Sequence, residues 1–271
     1  QLEEELGVPL FERVRKRIRL APAGVLFLKH AKSILHGVET ALHDVRQIAA
    51  GREGVLRLAF IPSALSHPVV LRAIDLFRKT TPGVELALHP ATTRAAIAAL
   101  RAGEVDAAFV HRPEAGFDAD IAAVEAAQVE WVFAMPADHL LAQVTPLSLA
   151  DFRGEDFLWI PRDPSPELFD ALVPLCQAAG LVPKIVDGGG DILTYFRLVA
   201  AGLGVTITAA TIAGEYHGKS IVFRSMPELP PPFFIDLAHL RGQASSSLVR
   251  FLATLRRAME TRPVDADPAS S

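Results

Sequence analysis

The sequence predicts an α/β protein with two similar lobes, preceded by a basic segment and a long helix. From residue 54 onward, short apolar segments with strand character alternate with amphipathic segments of helical period. Residues 28–49 instead place apolar side chains at alternating spacings of three and four. Half of the 271 residues are apolar and 21% are charged, which is typical of a globular protein and not of a disordered or collagen-like chain.

The N-terminal segment is basic, although the whole chain carries a net charge of −4. Gly7 can end the first helix in a left-handed conformation, and Pro9 prevents its continuation. Residues 14–20 alternate basic and apolar side chains, which predicts a small hairpin. Its cations suit contacts with the phosphates of nucleic acid, whereas a solvated basic surface is the alternative. The candidate phosphate contacts are Arg13, Arg15, Lys16, Arg17 and Arg19.

A long helix is predicted to follow, with Pro22 in its first turn. Its apolar stripe continues over three heptads, and polar side chains occupy the other faces. This pattern favours pairing with a partner helix, whereas packing against its own domain is the alternative. The predicted dimerisation residues are Leu28, Leu35, Val38, Leu42 and Val45.

Strands and helices then alternate in two sets, and we expect parallel strands in the first set, which ends at residue 111, because helices separate them. Thr93 is expected to cap one of these helices and Gly103 to end it, while Ser148 and Asp151 have the spacing of a capping box. The predicted strands are 55–61, 84–89, 105–111, 132–135, 157–161, 184–186, 205–208 and 233–238. The predicted helices include 94–101, 166–179, 192–201 and 247–260.

Several functional classes lack their signatures. Cys176 is the only cysteine, which excludes an intrachain disulfide and a cysteine zinc cluster and favours the reducing cytosol. No apolar stretch reaches the roughly 18 residues of a membrane helix. Residues 214–220 have one residue too few between their glycines for a phosphate-binding loop, and residues 188–190 lack dinucleotide-binding spacing. With no paired metal-binding histidines and no GxSxG sequence, we expect no cofactor, no metal and no catalysis.

Residues 2–24, LEEELGVPLFERVRKRIRLAPAG, resemble the end of the winged helix-turn-helix of LysR-type transcriptional regulators. Residues 56–63, 82–86, 100–106 and 199–205 resemble landmarks of the effector-binding domain of the same family. The resemblance implies a cytoplasmic DNA-binding regulator, in which a two-lobed domain with a periplasmic-binding-protein-like fold senses a small effector. It further implies that the full-length protein binds promoter DNA, that it forms a homodimer or homotetramer, and that RNA polymerase is another partner.

The resemblance also divides the chain into parts. Residues 1–22 would be the remnant of the winged helix-turn-helix, whose earlier helices and most of whose recognition helix would precede Gln1. The dimerisation helix and hinge would be 23–53, lobe I 54–127 plus 232–262, lobe II 128–231, and a disordered tail 263–271.

The effector is expected to lie in the cleft between the lobes, where helix N-termini and hydroxyl groups favour a carboxylate. The resemblance places Ser63 and Thr93 on the effector oxygens, with Ala64 and Thr92 beside them, although helix capping is the plainer role for such hydroxyls. Either His111 or Arg112 would supply positive charge. The remaining candidates form an apolar wall and its edge, with core packing as the alternative: Pro161, Pro166, Leu168, Thr208 and Phe234.

Two other functions are compatible with two lobes. A solute-binding protein of a transport system has a similar fold but no use for a basic hairpin or a heptad helix. An enzyme on the same scaffold needs a cluster of polar catalytic side chains around the cleft. For that role the sequence offers only Asp163, Asp187 and Asp191.

Overall fold

The computed structural model describes residues 1–14, 17–28, 30–31, 34–35, 38, 54–159, 173–174, 176–178, 180–187, 192–226 and 233–260. Among these residues, no helix is long and apolar enough to cross a membrane. The chain forms an N-terminal hairpin and two lobes, each built on β-sheet with helices packed against it. The predicted α/β class is confirmed.

The N-terminal segment ends its first helix at the predicted glycine. Helix α1 (Leu2–Leu6) stops at Gly7, whose φ of 70° is left-handed. Strands β1 (Phe11–Val14) and β2 (Arg17–Leu20) then form an antiparallel hairpin, which confirms the predicted hairpin but begins it at Phe11 instead of residue 14.

Hydrogen bonds from backbone N–H groups connect this hairpin to the elements on both sides. The Glu3 carboxylate accepts hydrogen bonds from the N–H groups of Phe11 (3.0 Å) and Leu10 (2.6 Å), and these bonds lower the pKa of that carboxyl. The Leu10 carbonyl in turn accepts a hydrogen bond from the N–H of Ala21 (2.8 Å). Gly24 packs on the same carbonyl, since a Cβ at this position would lie 1.9 Å from the Leu10 oxygen. The close approach therefore requires glycine at position 24.

Helix α2 begins at residue 22, and its described helical residues are 22–28, 30–31, 34–35 and 38. Its apolar stripe faces solvent in the single chain: Leu28 is 41% exposed, Leu35 64% and Val38 53%. Leu42 and Val45, the other two predicted dimerisation residues, lie outside the described residues.

Lobe I contains a five-stranded sheet with strand order β4-β3-β5-β12-β6. Its strands are β3 (Gly54–Phe60), β4 (Val84–Pro90), β5 (Ala107–His111), β6 (Ile121–Val129) and β12 (Phe233–Leu240). Its helices are α3 (Pro62–Leu65), α4 (Pro68–Thr80), α5 (Thr93–Ala102) and α9 (Ser246–Glu260). Strands β3, β4 and β5 are parallel, but β12 enters from lobe II beside the carboxyl end of β5 and runs antiparallel to β5 and β6. The parallel arrangement expected for the first three strands is therefore confirmed.

The core of lobe I lies where helices α4 and α9 cover one face of the sheet. Phe251 of α9 is completely buried and meets Phe77 of α4 edge-on, with ring centroids 5.3 Å apart. It also meets Phe109 of β5 edge-on at 6.1 Å. Edge-to-face aromatic packing of this kind adds to the free energy of burial.

Lobe II combines an antiparallel sheet of order β10-β7-β11 with a parallel β8-β9 pair. Its strands are β7 (Trp131–Pro136), β8 (Asp156–Trp159), β9 (Lys184–Asp187), β10 (Thr206–Ala209) and β11 (Ile221–Arg224). Its helical segments are a 3-10 turn (Leu149–Phe152), α6 (residues 173–174 and 176–178), α7 (Ile192–Ala200) and α8 (Ala210–Gly214). Ser148 and Asp151 form the predicted capping box at the 3-10 turn.

The first connection between the lobes consists of one residue. Strand β6 of lobe I ends at Val129, strand β7 of lobe II begins at Trp131, and Glu130 lies between them. The Glu130 carbonyl accepts a hydrogen bond from the N–H of Ala210 (2.8 Å) at the start of α8. Phe233, at the beginning of β12, packs against the buried clusters of both lobes and so joins them beside this connection.

Candidate functional site

A polar cluster lies at the carboxyl ends of β3 and β5, the edge of a parallel sheet where ligands bind in open α/β folds. Helix α3 begins directly after β3 and places Ser63 in its first turn. The Ser63 Oγ lies 3.2 Å from Nε2 of His111, the last residue of β5, and the two are hydrogen-bonded. Two strands that are parallel neighbours thus bring these two predicted residues together.

Thr93 completes this cluster. Its Oγ1 accepts a hydrogen bond from the backbone N–H of His111 (3.2 Å), and Thr93 is only 8% exposed. The expectation that Thr93 caps α5 is wrong, because Thr92 is the N-cap and accepts a hydrogen bond from the N–H of Ala95 (3.3 Å). We define the polar cluster as Ser63, Thr93 and His111.

His111 is a neutral group in this setting. Burial lowers its pKa to about 4, since a desolvated imidazolium is unfavourable. One edge of the ring meets Phe233, with centroids 4.9 Å apart. At pH 7 His111 therefore offers the polar cluster a hydrogen-bonding imidazole and not the positive charge considered for it.

A pH titration of stability tests the state of His111. Between pH 6.5 and 4 the unfolded chain binds more protons at this residue than the folded chain, so its contribution to stability is lost as pH falls. We expect the wild type to lose up to about 2 kcal/mol more than His111→Gln between pH 7 and pH 5, measured by urea unfolding. Because His67 is present in both proteins, its own titration cancels. Equal losses in the two proteins would show that His111 titrates normally.

Arg112, the second candidate cation, is held by two carboxylates. Its guanidinium donates to both oxygens of Asp236 at 2.7 Å and to Glu125 at 2.8 Å, and these bonds raise the pKa of Arg112. Asp236 is 2% exposed, so this ion pair is partly buried and joins the end of β5 to β12. Arg112 also lies over the ring of Phe234, 4.2 Å from its centroid.

Two aromatic neighbours on β12 occupy opposite faces of the sheet, and only Phe234 was predicted to contact the effector. Phe234 stacks on Arg112, whereas Phe233 contacts His111 and also Trp131, at 4.9 and 4.6 Å between ring centroids. Phe233 is therefore the aromatic residue beside the polar cluster. The alternation of side chains along a strand indicates that Phe233 and Phe234 lie on opposite faces of the sheet. It does not indicate which of the two faces His111.

The remaining predicted effector residues lie in the lobe I core, in lobe II or outside the described residues. Ala64 is completely buried in the lobe I core, and its N–H donates to the carbonyl of Ile61 (2.9 Å). Thr208 lies on β10 of lobe II, is 3% exposed and pairs with Val132 of β7. Pro161, Pro166 and Leu168 lie outside the described residues. Within the part that the structure describes, no group of three His, Cys, Asp or Glu side chains is placed to hold a metal ion.

Comparison with known proteins identifies the family. A model described as the LysR substrate binding domain matches residues 49–260. The chain belongs to the LysR family of transcriptional regulators. The predicted function, transcriptional regulation through an effector-binding domain rather than enzymatic catalysis, is confirmed at the level of the family.

Two LysR-family relatives come from Bacillus subtilis (strain 168). The chain is 26% identical over 270 residues to the HTH-type transcriptional regulator AlsR, covering 98% of this chain and 87% of AlsR. It is 30% identical over 215 residues to the transcriptional dual regulator GltC, covering 79% of this chain and 70% of GltC. Among solved structures, full-length CbnR in complex with its target DNA has a similar fold, with a TM-score of 0.69 at 24% identity over 96% of this chain and 87% of that one.

The hairpin of this LysR-family chain carries the candidate DNA contacts. Arg13 pairs across the hairpin with Ile18, and Arg19 with Glu12; both arginine side chains are exposed. Arg15 and Lys16 lie outside the described residues, and Arg17 is described only by its place in β2.

Proposed function

We propose that this LysR-type regulator responds to a small carboxylate-bearing molecule that binds between lobe I and lobe II. The supporting observation is that Ser63 and Thr93, from two separate segments, each form a hydrogen bond with His111 at the carboxyl edge of the lobe I sheet, Ser63 with its imidazole and Thr93 with its backbone N–H. Hydroxyl and imidazole groups placed there suit a ligand oxygen.

The cluster favours recognition by neutral donors. His111 is uncharged at pH 7, and Arg112 is bound to Asp236 and Glu125. A carboxylate would therefore be held by the Ser63 and Thr93 hydroxyls, the His111 imidazole and the positive end of helix α5, which is ten residues long. Such a site binds the carboxylate through positioned hydrogen-bond donors more than through net charge. We therefore expect its affinity for the effector to depend only weakly on ionic strength.

Ligand binding would act by favouring one arrangement of the lobes. A difference of about 1–3 kcal/mol in affinity between two arrangements is sufficient for useful coupling. Phe233 contacts His111 of the polar cluster and the cores of both lobes, so a ligand on the cluster lies directly beside the contact that joins them.

Removing either hydroxyl is expected to weaken binding of the effector. We expect Ser63→Ala and Thr93→Val each to reduce affinity about 3- to 10-fold, the effect of one lost hydrogen bond. A thermal-shift screen of aromatic and short-chain carboxylates against the wild type finds the ligand, and calorimetry on the variants measures the loss. Ser220→Ala, an exposed serine of lobe II, is the matched control. A carboxylate that binds both variants as tightly as the wild type would place the effector elsewhere.

The exposed stripe of α2 supports self-association as the second part of the proposal. Leu28, Leu35 and Val38 are exposed in the single chain at heptad spacing, as expected of a seam that a second copy covers. We expect light scattering at micromolar concentration to give the mass of a dimer or tetramer, and Leu35→Asp to lower it. A monomeric wild type would contradict the proposal that a second copy covers the apolar stripe of α2. Lys79→Gln, at an exposed position of helix α4, is the control for the same change of one unit of charge.

The hairpin supports contact with DNA phosphates in the full-length protein. Arg13 and Arg19 are exposed cations on a short antiparallel ribbon, and phosphate contacts of this kind orient a protein on DNA without reading its sequence. The full-length CbnR–DNA complex has the same fold, which is consistent with promoter DNA as the partner.

A further inference from the structure

Arg112 connects the end of β5 to the beginning of β12, the strand that enters lobe I from lobe II. Its backbone N–H donates a hydrogen bond to the carbonyl of Phe234 at 2.9 Å, which extends the pairing of β5 with β12 beyond His111. Its guanidinium lies 4.2 Å from the centroid of the Phe234 ring and binds both carboxylate oxygens of Asp236. Arg112 thus contacts β12 at two positions close to Phe233, the aromatic residue beside the polar cluster.

The two carboxylates that Arg112 binds would repel each other in its absence. Asp236 of β12 and Glu125 of β6 are partners in the antiparallel register, and like charges at such positions are destabilising. Because Asp236 is 2% exposed, water screens its charge poorly. One guanidinium that binds both carboxylates offsets this repulsion. The pairing of β12 with β6 at this place therefore depends on Arg112.

The register of β12 changes at the same place. Its pairing with β6 shifts between Ile235 and Asp236, and irregularities of this kind bend a strand and redirect its side chains. Phe233 lies on the lobe II side of the shift, where its ring contacts His111 and Trp131, at 4.9 and 4.6 Å between centroids. The position of the Phe233 ring is therefore set by the part of β12 that Arg112 holds against β5.

Arg112 itself lies away from the polar cluster. The guanidinium stacks on Phe234 and the imidazole of His111 meets Phe233, so the two groups are on opposite faces of the lobe I sheet. From these contacts we infer, on the basis of the proposed function, that Arg112 is a positioning residue of the effector site. It holds β12 so that Phe233 stays against the His111 ring, and it does not contact the effector.

The fluorescence of Trp131 reports the position of Phe233. The chain has two tryptophans, so Trp159→Phe leaves Trp131 as the only one. Trp131 is 7% exposed and packs on Phe233, so we expect Phe233→Ala in this background to shift its emission to longer wavelength and to increase its quenching by acrylamide. We expect Arg112→Lys to shift the emission in the same direction, because an ammonium group cannot bind Asp236 through a fork or stack flat on a ring.

Arg101 offers a matched control. It also belongs to lobe I and binds two carboxylates, Asp118 and Asp120, but these lie in the segment before β6 and not on β12. We therefore expect Arg101→Lys to leave the Trp131 emission unchanged, and circular dichroism checks that each variant is folded. If the emission of Arg112→Lys equalled that of Arg101→Lys, the inference would be wrong. Unchanged emission in Phe233→Ala would also overturn it, since the ring would then not cover Trp131.

A carboxylate probe separates positioning from direct contact. Asp236→Asn frees the Arg112 guanidinium from its bidentate partner, and calorimetry measures the binding of benzoate to this variant and to the wild type. If Arg112 acts through β12, we expect Asp236→Asn to lose affinity for benzoate. Tighter binding would show that the freed guanidinium contacts the carboxylate, and unchanged binding would show that the site does not depend on the Arg112–Asp236 pair; either result overturns the inference. The fluorescence results do not depend on whether any carboxylate binds, so failure of the proposed function is distinguishable from failure of this inference.

Discussion

Replacing Phe251 by alanine is expected to lower the free energy of unfolding by about 4 kcal/mol, within the range for large-to-small changes of buried aromatic residues. Phe251 is completely buried, and its ring meets Phe77 and Phe109 edge-on. Its removal leaves a cavity between α4, α9 and the sheet, and the rigid backbones of these elements prevent it from closing. Urea unfolding followed by circular dichroism measures the change.

A control on the same helix separates packing from helix propensity. Val249 is 54% exposed on α9, so Val249→Ala removes apolar atoms without opening a cavity and is expected to change stability by less than about 0.5 kcal/mol. If Phe251→Ala cost no more than Val249→Ala, the aromatic cluster would not be the main packing contact of lobe I.

A methyl group at position 24 is expected to detach the hairpin from helix α2. The Cβ of Gly24→Ala would lie 1.9 Å from the Leu10 oxygen, and this oxygen belongs to the backbone, so no side chain can rotate away. Overpacking of this kind costs about 3 kcal/mol, which corresponds to local opening roughly 150-fold more frequent. Amide hydrogen exchange of the Ala21 N–H, which donates to the same oxygen, reports that opening.

Gly214→Ala is the matched control for this substitution. Gly214 also lies in a helix, but a Cβ there meets no atom within 4 Å, so exchange at Ala21 is expected to stay unchanged. Unchanged exchange in Gly24→Ala as well would mean that the hairpin adjusts without losing its contact. Close packing on the Leu10 carbonyl would then not explain the glycine at position 24.

Local sequence signals predicted where several elements begin or end, but two strands without a clear pattern were not predicted. Gly7, Gly103 and the Ser148 capping box end or begin elements as expected, because each acts on backbone groups only a few residues away. Strands β6 and β11 were not predicted. The segment of β6, IAAVEAAQV, is rich in alanine and indicates a helix as readily as a strand. Only its pairing with β12 makes it a strand.

The candidate site was predictable where it depends on topology and not where it depends on environment. Ser63 follows β3 and His111 ends its parallel neighbour β5, so their meeting could be expected once the two strands are adjacent. The neutrality of His111 results from its burial beside Phe233, and the engagement of Arg112 results from Asp236, more than 120 residues later. No local pattern contains contacts of that separation.

Only one residue joins β6 to β7. This connection therefore has little conformational freedom to lose in the ligand-driven closure of the lobes proposed above. Fixing one backbone residue costs about 1–2 kcal/mol, so a loose connection of several residues would oppose closure by several times that amount. At the first connection Glu130 is the only residue between strands, and its carbonyl is already bound to Ala210. This connection therefore adds little entropic penalty to the proposed closure of the lobes.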